Sequence, residues 1–298
     1  MTQCERALVV ALALLLLQPT ARCRAGDVLT ANNGVSSEDN PLVDYFQNWF
    51  SRVTKIQEMQ PRWVTPLVTV TPRLEEELRY DQMIESLTGG HTLINYGGDG
   101  GKGVELIPFD PVEVIIGIPS WQRIDTKPTT RGWTDESFLL KYRLLSANEQ
   151  GGDYILTAFM GFTVPNGSNN TSSHHYAYSP TVAFGKGFGD FDFQSTIGTS
   201  LPDNCGDRKG NGTPFLFNTA FQYRVLKYVW PEFETNFTAW PNGKHEGLNQ
   251  LFITPGVIIG RIPIGGRVGL TIGAGCQVAV TNEPLYHRNI VITARLPF

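Results

Sequence analysis

The end of the chain carries the stretch that decides the fold, and it reads YHRNIVITARLPF from Tyr286 to Phe298. From Ile290 onward every second residue is apolar or aromatic, while Asn289, Thr293 and Arg295 fall on the opposite face. A period of two residues is the period of a β-strand whose two faces meet different surroundings. An alternating strand that ends on an aromatic residue resembles the signal read by the outer-membrane barrel assembly machinery, so we expect that machinery to be a partner.

The same alternation extends back to Leu74, where it replaces a helical period. The stretch 64–71 before it reads either as an extra strand or as an extended lead-in, because Pro66 and Pro72 disfavour a central ladder position. The pattern predicts an all-β fold, a transmembrane antiparallel up-and-down β-barrel of about 12 strands. The predicted strands are 74–85, 103–108, 111–118, 134–146, 153–163, 176–187, 190–200, 213–226, 228–240, 248–261, 266–280 and 286–298.

The connections between the predicted strands alternate in length, which is the second argument for a barrel. Outer-membrane barrels have short periplasmic turns, long external loops and an even number of strands. The short connections are 108–111, 146–153, 187–190, 226–229 and 261–266, and the longer, more polar ones include 86–102, 120–133, 165–175 and 202–212. Twelve strands then leave both ends of the barrel on the periplasmic side.

The composition supports a β-structure in a membrane and argues against nucleic acid as a partner. Charged residues make up 17% and aromatic residues 11%, there are 31 glycines, and the formal net charge is −4. A nucleic-acid-binding surface would be basic. After the first residues no apolar run reaches the length of a membrane-spanning helix, so lipid would have to be crossed by strands. Cys205 and Cys276 lie far apart in the predicted topology, and we expect two separate thiols.

The N-terminal part divides into three expected segments before and within the barrel. Residues 1–25 read as a cleaved signal peptide, with the apolar run Ala7–Leu17 too short to span a bilayer. Residues 26–60 form a polar segment and an amphipathic helix that Asn40 caps, Pro41 begins and Pro61 ends. Residues 61–298 form the barrel. The helix, over 41–58, either packs on a core or plugs the lumen, and the pattern leaves both open.

Two stretches and the aromatic end resemble the family of outer-membrane transporter-like proteins of the MetA pathway of phenol degradation. They are RWVTPLVTVTPRLE at 62–75 and FGKGFGDFD at 184–192. The resemblance covers roughly residues 60–298 and implies a bacterial outer-membrane location. It also implies passive passage of small, aromatic or apolar molecules. It carries no catalytic residue and no cofactor, so we do not expect an enzyme.

Charged residues on the inward face of the predicted strands are the candidate site. The two interpretations are that they pair and hold the barrel rigid, or that they line a pore and select ions. As a hypothesis, Glu75, Glu77, Arg79 and Arg295 form a constriction where the first and last strands meet. The full set of lumen-lining candidates is Glu75, Glu77, Arg79, Asp81, Glu113, Arg143, Asp192, Arg224, Glu232, Glu234, Arg267 and Arg295.

Catalytic and metal sites are the alternatives that we weigh against a channel. A barrel phospholipase would place a serine and a histidine on adjacent strands near the outer rim, and His287 has no obvious serine partner there. His174 and His175 lie in a polar loop without the three or four converging ligands of a metal site. An exported soluble β-sandwich that binds a ligand is the other alternative, since its strands would alternate too.

Overall fold

The structure is a computed structural model that describes residues 41–97, 102–207 and 209–298. The predicted signal peptide and the polar stretch before the helix fall on residues 1–40 and lie outside the described residues. The helices are α1 (Pro41–Gln47) and α2 (Trp49–Glu58). The strands are β1 (Glu77–Leu87), β2 (Thr92–Tyr96), β3 (Gly103–Phe109), β4 (Val112–Gly117), β5 (Trp121–Ile124), β6 (Thr130–Trp133), β7 (Glu136–Ala147), β8 (Tyr154–Val164), β9 (Ala177–Phe188), β10 (Phe191–Thr199), β11 (Leu201–Pro202), β12 (Phe215–Tyr223), β13 (Val229–Ala239), β14 (Asn249–Gly265), β15 (Val268–Ala279) and β16 (Tyr286–Pro297).

Twelve of these strands form a closed antiparallel barrel. They run in the order β16-β15-β14-β13-β12-β10-β9-β8-β7-β4-β3-β1, and β1 pairs back onto β16 from Glu77–Pro297 to Leu87–Tyr286. Closure leaves no free sheet edge, which is the condition for strands to cross lipid. The twelve-stranded barrel predicted from the alternation is confirmed, with strand ends that differ by a few residues.

Four short strands lie outside the closed barrel, and the sequence did not predict them. β2, β5 and β6 form a small sheet that continues from the second half of β1, and β11 pairs with β9. They sit at the end of the barrel that carries the long connections, which we name the loop end; the opposite end is the turn end. The alternation in these strands is too short to stand out from the loops 86–102 and 120–133.

The two faces of the barrel strands meet different surroundings. In β1, Leu78 and Tyr80 are 40% and 45% exposed, whereas Glu77 and Arg79 on the other face are 3% and 4% exposed. The polar face therefore points inward and the apolar face outward. A soluble sandwich would bury its apolar face instead, so that alternative is wrong for this fold.

The two helices lie at the turn end of the barrel. Asn48 separates α1 from α2, so the single predicted helix over 41–58 is interrupted once. Val53 and Ile56 of α2 pack with Leu74 and Ile107 in a buried cluster. Only the α2 part of the apolar stripe therefore packs on the turn end, while Leu42 and Phe46 of α1 are exposed. Within the described ranges, neither helix has the length and apolar character needed to cross a bilayer.

Candidate functional site

The chain between the helices and β1 runs inside the barrel, and we name residues 60–76 the lumen segment. It enters at the turn end, reaches mid-height near Leu67 and returns to the turn end at Glu76. Gln60 closes its base, because its side-chain amide donates to the Leu74 carbonyl at 2.7 Å and accepts from the Leu74 N–H at 2.9 Å. Of the two interpretations of 64–71, the extra strand is wrong, because the stretch forms no strand and leads into β1.

Carboxylates of the wall accept hydrogen bonds from backbone N–H groups of the lumen segment. Glu234 of β13 accepts from Val68 at 2.7 Å and from Thr69 at 2.6 Å. Glu232, two residues earlier on the same face, accepts from Leu67 at 3.1 Å. These three N–H groups have no partner in a strand ladder, so an acid on the wall satisfies each of them in a place that excludes water.

Basic side chains of the wall donate to backbone carbonyls of the lumen segment. Arg295 of β16 donates to Thr65 at 2.5 Å and to Pro66 at 2.7 Å. Arg79 of β1 and Lys102 both donate to the Leu67 carbonyl, at 2.6 and 3.2 Å. The acids and bases together hold the backbone of the segment from opposite sides of the lumen.

The charges of the wall are also paired with each other. Asp81 bonds Arg79 at 3.0 Å and Lys102 at 3.1 Å, and Lys141 bonds Glu113 at 2.8 Å. A buried ion has lost its water and needs such a partner. Without one, its desolvation destabilises the fold by roughly several kcal/mol. The pairing supports the structural interpretation for these residues, and their contacts with the lumen segment add a second role.

Leu67 anchors the middle of the lumen segment in a depression of the wall. The depression is made by Gly256 of β14 with Gly273 and Gly275 of β15, where the wall has no side chains. A Cβ placed on them would lie 2.5, 2.9 and 2.7 Å from a Leu67 methyl group. Leu67 itself is fully buried. Glycine is required here by close approach rather than by backbone conformation.

Most of the predicted lumen residues lie in the lumen, and two do not. The buried ones are Glu75, Glu77, Arg79, Asp81, Glu113, Arg143, Asp192, Glu232, Glu234 and Arg295. Arg224 and Arg267 are exposed at the turn end, because β12 ends at Tyr223 and β15 begins at Val268. There Arg224 bonds Asp190 at 2.6 Å, and Arg267 donates to Thr54 at 2.6 Å. These two residues lie at the exposed rim of the barrel rather than among its buried residues.

The proposed constriction residues are close together, but each has more partners than we expected. Glu75 bonds Arg73 at 2.6 Å and also contacts Arg261 of β14. Arg79 and Arg295 face each other across the seam between β1 and β16. Arg143 holds the end of α2 through the Ile56 carbonyl at 2.9 Å.

Three buried charged residues of the lumen were missed: Arg73, Lys102 and Glu105. Glu105 could have been found, since it has inward parity on a strand that was predicted correctly. Arg73 could not have been found, because nothing in the sequence of residues 60–76 indicates that this segment lies inside the barrel.

His175 and His287 lie at the loop end of the barrel. Both ring nitrogens of His175 are occupied, one by Asp203 at 2.6 Å and the other by Asn204 at 2.8 Å. His287 is exposed and lies at an irregularity in the β1–β16 register, and no hydrogen bond joins it to a serine in the described chain. The same ranges contain no group of three or more metal-ligating side chains.

Cys276 is a free thiol, as expected, but Cys205 is disulfide-bonded, so the expected thiol at 205 is wrong.

Comparison with solved structures shows the fold. An outer membrane channel from Pseudomonas putida F1 aligns over 79% of this chain and 100% of its own length, with 14% identity and a TM-score of 0.52. The KdgM porin aligns over 74% of this chain and 99% of its own, with 8% identity and a TM-score of 0.43, too low to support an argument. No family model matches the chain, and no curated protein does. The chain thus shares the barrel fold of a bacterial outer membrane channel.

Proposed function

We propose that this chain is an outer-membrane channel for passive passage of small molecules, and that the lumen segment holds it closed. One observation carries the proposal: charged side chains of the wall form hydrogen bonds with the backbone of residues 60–76 inside a closed barrel. Hydrogen bonds and ion pairs of this kind break and re-form without chemical change. The wall charges that bind the segment are then the charges that would line the open pore.

The orientation follows from the connections at the two ends. Short turns lie at the turn end and long loops at the loop end, which matches periplasmic and external sides of outer-membrane barrels. The helices and the base of the lumen segment would then face the periplasm. Export through a cleaved signal peptide in residues 1–25 and insertion by the barrel assembly machinery belong to the same proposal.

Two observations bear on the solutes. The resemblance to the phenol-degradation family supports small aromatic or apolar compounds. The buried charged residues of the lumen favour instead polar or charged solutes at mid-height. We propose passage of small aromatic molecules that carry a polar or charged group, since such molecules meet both conditions.

The test is single-channel conductance of the refolded mature protein in a planar bilayer. The opening variant is Glu232→Gln with Glu234→Gln, which keeps the side-chain size but removes both negative charges and leaves each side chain with one acceptor oxygen. The bonds from the Leu67, Val68 and Thr69 N–H groups are then fewer and weaker. We expect rare openings in the unchanged protein and frequent, long openings in the variant. A matched control is Glu246→Gln with Glu283→Gln, two exposed acids of the loop end.

Each outcome has a clear meaning. Steady conductance in the unchanged protein would support a channel and contradict a closing role for the lumen segment. Silence of every folded form, including a variant that lacks residues 60–76, would overturn the channel. The solute class is tested by liposome swelling with a sugar and with a small aromatic acid of equal mass. Faster entry of the sugar would contradict the proposed class.

A further inference from the structure

The outward face of β2, β5 and β6 carries aromatic and basic side chains in an ordered arrangement. In β1 the even-numbered residues point outward, and Gln82 pairs with Tyr96, which pairs with Trp121, which pairs with Trp133. Paired residues share a face. One two-residue step further along, toward the loop end, Ile84 pairs with Ile94, Ile94 with Arg123, and Arg123 with Arg131.

Aromatic residues on the outside of a barrel mark the boundary between hydrocarbon and headgroups. Trp121 and Trp133 contact each other edge to face, with ring centroids 5.1 Å apart. A step of two residues along a strand is about 6.6 Å. Arg123 and Arg131 therefore stand just beyond the aromatic boundary, on the side where lipid headgroups lie.

The two arginines are directly opposite each other, which is unfavourable without an anion between them. Both are exposed, and within the described residues neither forms an ion pair with a carboxylate. They line a cavity of about 600 Å³ together with Tyr96, Trp121 and Thr129. Two guanidinium groups over aromatic rings suit a phosphate attached to an apolar body, because arginine binds phosphate through two parallel hydrogen bonds.

We propose that this surface binds a phosphorylated glycolipid of the lipid A type in the outer leaflet, with Arg123 and Arg131 on its phosphate and the aromatic residues against its acyl chains. The occupant is a lipid rather than a soluble anion because the cavity lies on the outward face. The inference rests on the outer-membrane location in the proposed function, but not on conduction through the lumen.

The test is native mass spectrometry of the folded protein in detergent, titrated with bis-phosphorylated lipid A and with dephosphorylated lipid A. We expect the unchanged protein to retain the phosphorylated lipid preferentially. Arg123→Gln with Arg131→Gln should weaken its binding by roughly tenfold or more. The matched control is Arg288→Gln, another exposed outward arginine about 14 Å away across three strand spacings.

A second variant separates lost binding from misfolding. Arg131→Glu places an opposite charge across from Arg123, which stabilises the hairpin, and it should still abolish binding. The proposal would be overturned if dephosphorylated lipid A or inorganic phosphate bound as tightly as the phosphorylated lipid. It would also be overturned if Arg288→Gln lost as much binding as the Arg123→Gln, Arg131→Gln variant. Because the measurement is made in detergent, a silent channel that binds lipid A would count against the proposed function alone.

Discussion

At the residue scale, the depression that receives Leu67 makes the closed state sensitive to single glycines. Gly273→Val adds methyl groups where a Cβ alone would lie 2.9 Å from Leu67 and 3.1 Å from Ile258. We expect the variant to lose about 1–3 kcal/mol of stability. We also expect the channel to open more often, because the valine displaces Leu67 from the depression. The measurements are urea unfolding in detergent and bilayer conductance.

The complementary change identifies the cause. Leu67→Ala combined with Gly273→Val should recover part of the lost stability, as expected for two side chains in contact. Gly206→Ala is the control, because nothing lies within 4 Å of a Cβ at that position. Additive effects of Gly273→Val and Leu67→Ala would show that the glycine is required for another reason.

Asp153 at the turn end gives the barrel a pH-dependent stability. Burial raises the pKa of its carboxyl group, and neighbouring Glu149 adds to the shift, while Lys186 and Arg224 oppose it. An acid whose pKa is raised by folding destabilises the fold as pH rises from its unfolded pKa, about 3.9, through its folded pKa. Asp153→Asn should therefore gain stability over the unchanged protein as pH increases from 4 toward 7.

The measurement for Asp153 is the unfolding midpoint of both proteins across that pH range. Asparagine also tolerates the left-handed backbone at this position, where φ is 53°. Asp190→Asn at another turn is the control, since that carboxylate is half exposed and paired with Arg224. A constant difference between Asp153→Asn and the unchanged protein at every pH would contradict the prediction.

At the element scale, the helices and the lumen segment are linked through Glu76. The Trp49 indole N–H donates to its carboxylate at 2.7 Å, and the Tyr45 hydroxyl donates to Pro108 at 2.7 Å on the barrel itself. Trp49→Phe keeps the aromatic packing and removes one bond to a charged acceptor, so it should weaken helix docking by about 1.5 kcal/mol. The expected result is faster trypsin cleavage after Arg52 and Lys55.

Trp240→Phe at the loop end serves as the control for that proteolysis. An unchanged cleavage rate in Trp49→Phe would mean that the apolar cluster around Val53 and Ile56 suffices to hold the helices. In that case the helices would not report the state of the lumen segment.

The barrel strands were predictable from the sequence because their alternation spans nine or more residues in most cases. β13, for example, sets Phe233 and Phe237 against Glu232 and Glu234. β5 and β6 were not predictable, since four residues give too few repeats to separate a strand from a loop. The turn residue Arg224 was misplaced for a related reason: it keeps the parity of β12 after the strand has ended.

At the scale of the whole molecule, the lumen segment could not have been predicted from periodicity. Its residues satisfy their backbone groups with side chains from the adjoining strand β1 and from β13 and β16, and the last two are distant in sequence. Local pattern contains no information on such contacts. The charged face of the strands predicted a polar lumen. It did not predict that these charged side chains bind the backbone of the lumen segment.

The charges at the seam between β1 and β16 give a prediction for the open channel. Glu77→Gln removes a wall acid near Arg79 and Arg295, so the remaining charge of the constriction becomes more positive. We expect the reversal potential in a KCl gradient to shift toward anion preference, measured in the Glu232→Gln, Glu234→Gln background. The control adds Glu246→Gln instead. An unchanged reversal potential would assign Glu77 a purely structural role.

The lumen segment enters and leaves the barrel at the same end, and Gln60 bonds Leu74 at its base. It can therefore be drawn out as a loop, without a free end passing through the lumen. Under a pulling force on the helices from the turn end, its bonds would break in sequence from the base toward Leu67. Rupture in steps needs less peak force than simultaneous rupture, so in the proposed gating a mechanical load on the N-terminal side would clear the barrel one bond at a time.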